Sequence, residues 1–408
     1  MPVICQVFEQ REGIGRAGER RNVADARGQA GARRPALGVL VCERNAAGWS
    51  AVAPFAEADF IRRLQETGDR IGLEVFAFDP RTAEAGSRTA CCWRWDAAEG
   101  AWRRARRPLP ALLYDRAWPG GDAERRRFRS ALRRLLDGDR PPRLLNAPLP
   151  GKAAVHAVLS RHPAIRGHLP PTVPYTGPDG LRGRLDGWGG AVFLKPAAGW
   201  QGRGVLAVRR RPGGLLDLAG RTRRNDPFRL EAREEEAALE RVNRWIGARP
   251  YLMQPYLELT TPEGDPFDLR LLVQKNAAGR WTLTGAAVRL GRPDGVTANL
   301  HGGGTPLPPE TALARWFGED AARELMRKAR RLAAEIVRQL ESSFGRFAEL
   351  GLDFGIDRAG KLWFLEANGK PGRAAARRAG RREDALSHLR PLMYARSILL
   401  RLSREGHP

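Results

Sequence analysis

The stretch 352–368, Leu-Asp-Phe-Gly-Ile-Asp-Arg-Ala-Gly-Lys-Leu-Trp-Phe-Leu-Glu-Ala-Asn, constrains the fold more than any other part of this 408-residue chain. Two apolar-rich runs flank Arg358-Ala-Gly-Lys361, which reads as the turn of a tight antiparallel hairpin. With the turn centred on Ala359 and Gly360, Asp353 falls opposite Glu366, Gly355 opposite Phe364 and Asp357 opposite Leu362. Strand side chains alternate between faces, so Leu352, Phe354 and Ile356 are expected to share a core face with Trp363, Leu365 and Ala367. The other face gathers Asp353, Glu366 and Asn368. Opposed Cβ atoms lie ~5 Å apart, and two carboxylates at that spacing repel unless a cation or proton sits between them. Two acids and an amide carbonyl are hard oxygen ligands of the kind that suit a Mg2+ ion keeping some waters and binding phosphates.

The second strand leaves through Glu366-Ala-Asn-Gly-Lys-Pro-Gly372. This resembles the ATP-grasp signature Glu-x-Asn-x-x-Pro-Gly, with its Asp thirteen residues before the Glu. Phe267-Asp-Leu-Arg-Leu-Leu-Val-Gln-Lys275, Asn299-Leu-His-Gly-Gly303 and Leu350-Gly-Leu-Asp-Phe-Gly-Ile-Asp357 resemble the YheC/YheD family, described as spore-coat-associated. Part of the chain also resembles the glutamate-adding RimK-type ligases. The likeness spans about residues 36–400 and departs at Gly369, where related ligases often carry Ser or Thr.

The resemblance implies a fold class of α/β plus α+β: an ATP-grasp fold with an N-terminal pre-ATP-grasp α/β domain. It implies ATP and Mg2+ as cofactors, with Asp353, Glu366 and Asn368 holding the metal. Lys152 and Lys195 fall on the nucleotide-binding lysines, and Gln201, Gly202, Arg203 and Gly204 on a mobile lid. Gln254 and Glu258 fall on the segment that holds adenine and ribose, although many relatives carry Glu where Gln254 stands. Arg270 and Arg289 fall where related ligases meet the γ-phosphate and acyl phosphate, and Asn299 and His301 join them as catalytic candidates.

The residues themselves support several of these assignments. The run 191–195 is a buried-type strand ending on Lys195, and a glycine-rich loop, 197–204, follows it. Small residues let backbone N–H groups approach phosphate oxygens, and a lysine adds a point charge. Lysine is scarce: six among 70 basic residues, so each one draws attention. Asp268 and Arg270 lie two apart on a strand and therefore on one face. The net charge of +24 invites a polyanion partner. Its strongly arginine-dominated character, beside abundant alanine and glycine, instead suggests a compositional bias, and tail pairs such as Arg377-Arg378 and Arg381-Arg382 are read as part of it.

Along the chain, residues 1–35 read as a flexible Arg/Gly-rich arm. Residues 36–146 alternate strands (37–41, 73–78, 111–114) with helices (55–71, 125–136), as in an α/β layer with a mostly parallel sheet. Residues 147–400 form a two-lobed grasp with helices at 229–247 and 319–341 and a tail helix over 386–402; 401–408 is a tail. No run approaches the ~20 apolar residues needed to span a bilayer, and the N-terminus lacks a signal-like apolar core, so a cytoplasmic protein is expected, to which the resemblance adds an association with the spore coat. Cys5, Cys42, Cys91 and Cys92 lack zinc-ligand spacing.

The expected activity is an ATP- and Mg2+-dependent carboxylate-activating ligase with an amine or thiol acceptor, linked to the endospore coat and to possible coat-protein partners. The alternative is a non-catalytic coat-associated ATP-binding or structural protein. A nucleic-acid partner is not expected.

Overall fold

The computed structural model describes residues 34–44, 54–84, 88–137, 140–198, 202–293, 295, 298 and 304–405. Most of the expected arm, together with Gln201, Asn299 and His301, lies outside them.

The first layer runs β1 (Ala36–Leu40), α1 (Ala58–Arg70), β2 (Glu74–Phe78), β3 (Thr89–Asp96), β4 (Ala101–Pro108), β5 (Leu112–Asp115), α2 (Asp122–Leu136) and β6 (Arg143–Leu144). Its sheet order is β4-β3-β2-β1-β5-β6. β2, β1, β5 and β6 pair in parallel, while β3 and β4 add an antiparallel hairpin that the sequence had not suggested. Strands covered on both faces read as continuous apolar runs. Leu37, Val39 and Tyr114 pack with Ile61 and Leu64 of α1 on one side. Leu40, Phe78 and Leu113 pack with Phe128 of α2 on the other.

The next segment runs α3 (Lys152–Leu159), α4 (Pro163–Arg166), β7 (Val173–Pro174), α5 (Pro178–Gly187), β8 (Ala191–Pro196), β9 (Leu206–Arg210), β10 (Leu216–Arg221), β11 (Pro227–Ala232), α6 (Glu235–Ile246) and β12 (Tyr251–Pro255). It builds an antiparallel sheet in the order β11-β10-β9-β8-β12-β7. The helix expected over 229–247 begins only at Glu235, because the residues before it form strand β11. Buried Asp217 on β10 draws Arg209 from β9 and Arg229 from β11, and only an extended chain can place that second arginine beside it.

The third segment runs β13 (Phe267–Lys275), β14 (Trp281–Leu290), β15 (Thr305–Leu307), α7 (Pro309–Phe317), α8 (Glu319–Phe344), β16 (Glu349–Ile356), β17 (Leu362–Asn368), α9 (Ala374–Ala379) and α10 (Arg381–Arg404). The sheet order is β15-β14-β13-β16-β17. The long helix α8 buries Leu325, Ala329, Leu332, Ile336, Val337 and Leu340 at helical spacing against this sheet. Glu319 and Asp320 in its first turn complement the helix dipole. Helix α10 packs its Leu392, Ile398, Leu399 and Leu402 into the first layer's core beside α1, although the sequence groups it with the grasp.

The hairpin β16–β17 forms with Asp353 opposite Glu366, as the turn arithmetic predicts. One extra residue in β17, a bulge beside Asp353, then shifts the register, so that Phe354 pairs with Phe364 and Ile356 with Leu362. The expected core face is corrected accordingly. Leu362 and Phe364 turn inward, and Phe364 meets Phe354 edge-on with ring centroids 5.8 Å apart. Trp363 turns outward, where its Nε1 donates to Asp357 at 2.8 Å and Lys361 covers its ring. Leu365 is released to the wall of a cavity.

Candidate active site

Four neighbouring strands bring the acid cluster together. Asp268 lies opposite Arg289, Arg270 opposite Asp353, and Asp353 opposite Glu366. Arg289 grips Asp268 side-on through Nε and Nη2 (2.5 and 2.6 Å) and reaches Asp353 at 2.9 Å. Arg270 is bidentate on Asp353, with Nη2–Oδ2 at 2.7 Å and its Nε on Oδ1. The Asn368 amide nitrogen sits 3.4 Å from both Asp353 and Glu366. Asp353 is 2% exposed. Burial alone would raise its pKa, but Arg270 and Arg289 outweigh it and pull the carboxyl down to about 2. It is therefore a permanent anion.

Glu366 is the more accessible acid, and Lys152, the first residue of α3, meets it at 3.1 Å. Lys195 enters the same place from the end of β8 and is 9% exposed. Burial pushes its ammonium down to about 7; the nearby Lys152 charge adds to the shift and Glu366 opposes it. A lysine held near neutrality without a close acid of its own is poised to take up an anion.

A cavity of about 150 Å3 lies between the second and third sheets. Phe193, Val205, Tyr256, Leu257 and Leu365 supply its apolar wall. Lys152, Lys195, Asp268, Arg289, Asp353 and Glu366 supply its charged wall. Gln254 lines it as well and is held by a 2.7 Å hydrogen bond from its Nε2 to the Thr172 hydroxyl. Gly202 borders the cavity, and Gly204, with φ +70°, closes the glycine-rich loop. The Tyr251 hydroxyl donates to the Gly204 carbonyl at 2.8 Å, and a Cβ at this position would sit 3.0 Å from that hydroxyl. Both the backbone conformation and the space favour glycine there.

A wider cavity of about 440 Å3 lies over α1, and a still wider one of about 660 Å3 adjoins the first cavity through Arg289 and Glu366. Arg203 and Arg270 line the latter. Glu258 stands apart from the other candidates: its side chain is 64% exposed and pairs with Arg358 on the hairpin turn at 3.5 Å.

The model of YheC/D-like ATP-grasp domains matches residues 142–398. The chain belongs to that family. It is 25% identical over 362 residues to the endospore coat-associated protein YheC of Bacillus subtilis (strain 168), covering 88% of this chain and 97% of that one. It is 29% identical over 332 residues to YheD of the same organism, covering 79% of this chain and 70% of that one. Among solved structures, D-cycloserine synthetase DcsG is similar with a TM-score of 0.52 at 14% identity, covering 90% of this chain and 99% of that one. The N5-carboxyaminoimidazole ribonucleotide synthetase purK is similar with a TM-score of 0.50 at 10% identity, covering 88% and 77%. These two likenesses establish the ATP-grasp fold.

In this member of the YheC/D-like ATP-grasp family, several residues at the site escaped sequence reasoning. Lys370 within the signature loop and Arg373 directly after it line the wide cavity, as do Trp118 and Glu57 from the first layer. Lys370 is anchored by Asp115 at 2.8 Å. The position of Arg373, directly after Pro371-Gly372, was a usable signal; Trp118 gave none, because only the fold carries it to the site. Arg377, read as part of a compositional tail, is a cavity residue.

Proposed function

We propose that this chain is an ATP- and Mg2+-dependent ligase that activates a carboxylate as its acyl phosphate and passes the acyl group to an amine or thiol. The observation that carries this reading is the convergence of Lys152, Lys195, Asp353 and Glu366 on one cavity with an apolar wall. Phosphoryl transfer asks a protein mainly for positioning and for charge aimed at the phosphates. The apolar wall suits a purine, and the two lysines suit the phosphates. Gly202 and Gly204 let the intervening loop close over them.

Asp353, Glu366 and the Asn368 carbonyl would hold Mg2+, which would supply positive charge to offset that of the phosphates. The donor set fits this role. All three are hard ligands on adjoining strands, and Asp353 Oδ1 meets one donor among the described residues, Arg270, leaving acceptor capacity. In the reaction, a substrate carboxylate oxygen attacks the γ-phosphorus, the bond to the bridging oxygen breaks and ADP leaves. The acceptor then attacks the acyl carbon, the carbon–oxygen bond to phosphate breaks, phosphate departs and the acceptor loses a proton. Arg270 and Arg289 stand where the nucleotide cavity meets the wide cavity, positioned to steady charge on the transferred group.

The test is ADP titration with and without Mg2+, followed by ADP release over a panel of carboxylates and amines. Mg2+-dependent ADP binding and acid-dependent ADP release are expected. Absence of nucleotide binding overturns the reading, and binding without turnover for any acid returns the non-catalytic alternative. Among the described residues no helix is long and apolar enough to cross a membrane. From the names of the two relatives we extend the proposal to the endospore coat. Antibody labelling of spores from the source organism tests it, and labelling absent from the coat would sink it.

A further inference from the structure

The wide cavity, about 660 Å3, is larger than a free amino acid would fill. It opens into the neighbouring cavity of about 440 Å3 over α1, and the two share Glu57, Gly372, Arg373 and Arg377. The result is a trough leading from the nucleotide site along the joint between the first layer and the grasp. Each alone falls in the ~300–1,000 Å3 range of a complete small-molecule site.

The charges along this trough are nearly all matched. Arg270 and Arg289 hold Asp353 and Asp268. Lys370 holds Asp115, Arg373 holds Glu349 and Glu57 is held by Arg116. Further along, Arg62 meets Glu66 and Arg63 meets Asp384. Two lining arginines have no acidic partner among the described residues. Arg203 belongs to the glycine-rich loop and lines the wide cavity but not the one over α1. Arg377 is exposed on α9, at the junction of the two cavities. A second observation also points to a ligand. Trp118 lines the wide cavity at 36% exposure, one of two large hydrophobic side chains exposed among the described residues, and its ring lies 5.7 Å from the Lys370 ammonium.

We infer that the acid this chain activates is chain-like and carries a second anionic group remote from the reacting carboxylate. The reacting end lies beside Arg270, Arg289 and Asn368, the body crosses Trp118, and the remote anion pairs with Arg377. This deepens the ligase reading and rests on it for the identity of the reacting end. An unpaired arginine suits a carboxylate, which it can grip bidentately. A solvent-facing tryptophan suits the apolar stem between two charges. The two cavities in series suit a molecule longer than a single amino acid.

The experiment measures binding of three probes to the full chain by calorimetry: the acidic tetrapeptide Glu-Ala-Ala-Glu, its amidated counterpart Gln-Ala-Ala-Gln, and glutarate. Mg2+–ADP is titrated separately. The acidic tetrapeptide is expected to bind on the order of tenfold tighter than either other probe, the size of one charge-assisted hydrogen bond. Arg377→Ala is expected to erase that margin, Arg377→Lys to keep part of it, and both to leave the Mg2+–ADP titration unmoved. Trp118→Ala should weaken the tetrapeptide and spare glutarate. Arg378→Ala, one residue along and outside both cavities, controls for general charge and should change nothing. The inference is overturned if glutarate matches the acidic tetrapeptide, if Arg377→Ala binds it like wild type, or if Arg378→Ala loses as much. A wild type that ignores Mg2+–ADP would fail the ligase reading instead, while the peptide series still decides whether the trough takes a chain-like acid.

Discussion

Strand β16 carries two buried carboxylates four residues apart on one face, Glu349 and Asp353, and each is held by two arginines. Burial works to raise both pKa values, and in both cases the arginines reverse it, so that both lie below the ordinary carboxylate range. Their surroundings differ. Glu349 is fully buried, with Arg373 and Gln274 each at 2.8 Å, Arg116 at 3.4 Å and the Tyr114 hydroxyl donating to it. Two of those donors come from β5 and the residue after it in the first layer, and Arg116 and Arg373 both also donate to the Pro371 carbonyl. Glu349 thus knots the first layer, the third sheet and the signature loop together. Asp353, with the same electrostatic signature, opens onto the cavity between the second and third sheets. A perturbed pKa alone would not separate the structural acid from the functional one; access does.

The largest effect should follow from cutting the knot. Glu349→Ala leaves Arg373 buried without its acid and Arg116 with Glu57 alone, and losing one partner of a buried pair costs about 3–5 kcal/mol. Denaturant unfolding should register that loss. An unfolding curve like that of wild type would erase the contrast with Asp353. The pH dependence carries the same sign for both acids. A carboxyl with a depressed folded pKa contributes stability in full above its unfolded value, 4.5 for Glu and 3.8 for Asp, and loses it as pH falls through the folded value. Glu349→Gln should therefore flatten the loss of stability below pH 4.5.

Asp353→Asn should fall next in size and on a different readout. It should fold, because Asp268 still compensates Arg289 and the cavity admits water. Mg2+-dependent ADP affinity should drop on the order of tenfold or more, as loss of a charged ligand implies. If instead stability collapses and ADP affinity holds, the two acids have exchanged roles.

The smallest effect sharpens the comparison with a buried cation. Lys195 has a folded pKa of about 7 against 10.5 in the unfolded chain. Bound phosphates favour its charged form, so binding above pH 7 must take up a proton, and affinity must weaken as pH rises. Calorimetry of ADP binding at pH 8 in buffers of different ionisation enthalpy should show uptake approaching one proton, abolished in Lys195→Ala. Zero uptake in the wild type would mean that Lys195 is already charged or is not at the phosphates.

The hairpin itself was legible from its turn, but the strands beside the turn pair one residue off the expected register, and the Asp353–Glu366 pair falls where the arithmetic put it only because the bulge restores the offset. The bulge was not: Trp363, Phe364 and Leu365 are all apolar, so either register gave a plausible core face. The first layer's parallel strands were legible from their apolar runs, whereas β3 and β4 were hidden by arginines that pair with acids elsewhere, such as Arg107 with Glu74. Arg116 and Glu349 lie 233 residues apart, and nothing local in either segment announces the other. That Lys152, Lys195 and Glu366 would meet in one cavity was foreseen only because a motif supplied the long-range information that periodicity lacks.

Helix α10 closes the core of the first layer, packing beside α1 and strands made some three hundred residues earlier. During synthesis an N-terminal domain usually folds as soon as it emerges. Here β1, β2 and β5 can pair early, but the side of their sheet that receives Leu392, Ile398 and Leu402 stays open until translation has passed residue 402. Until the last helix emerges, the growing chain exposes an apolar seam on that side of the sheet, so the first domain to be made is the last to be finished.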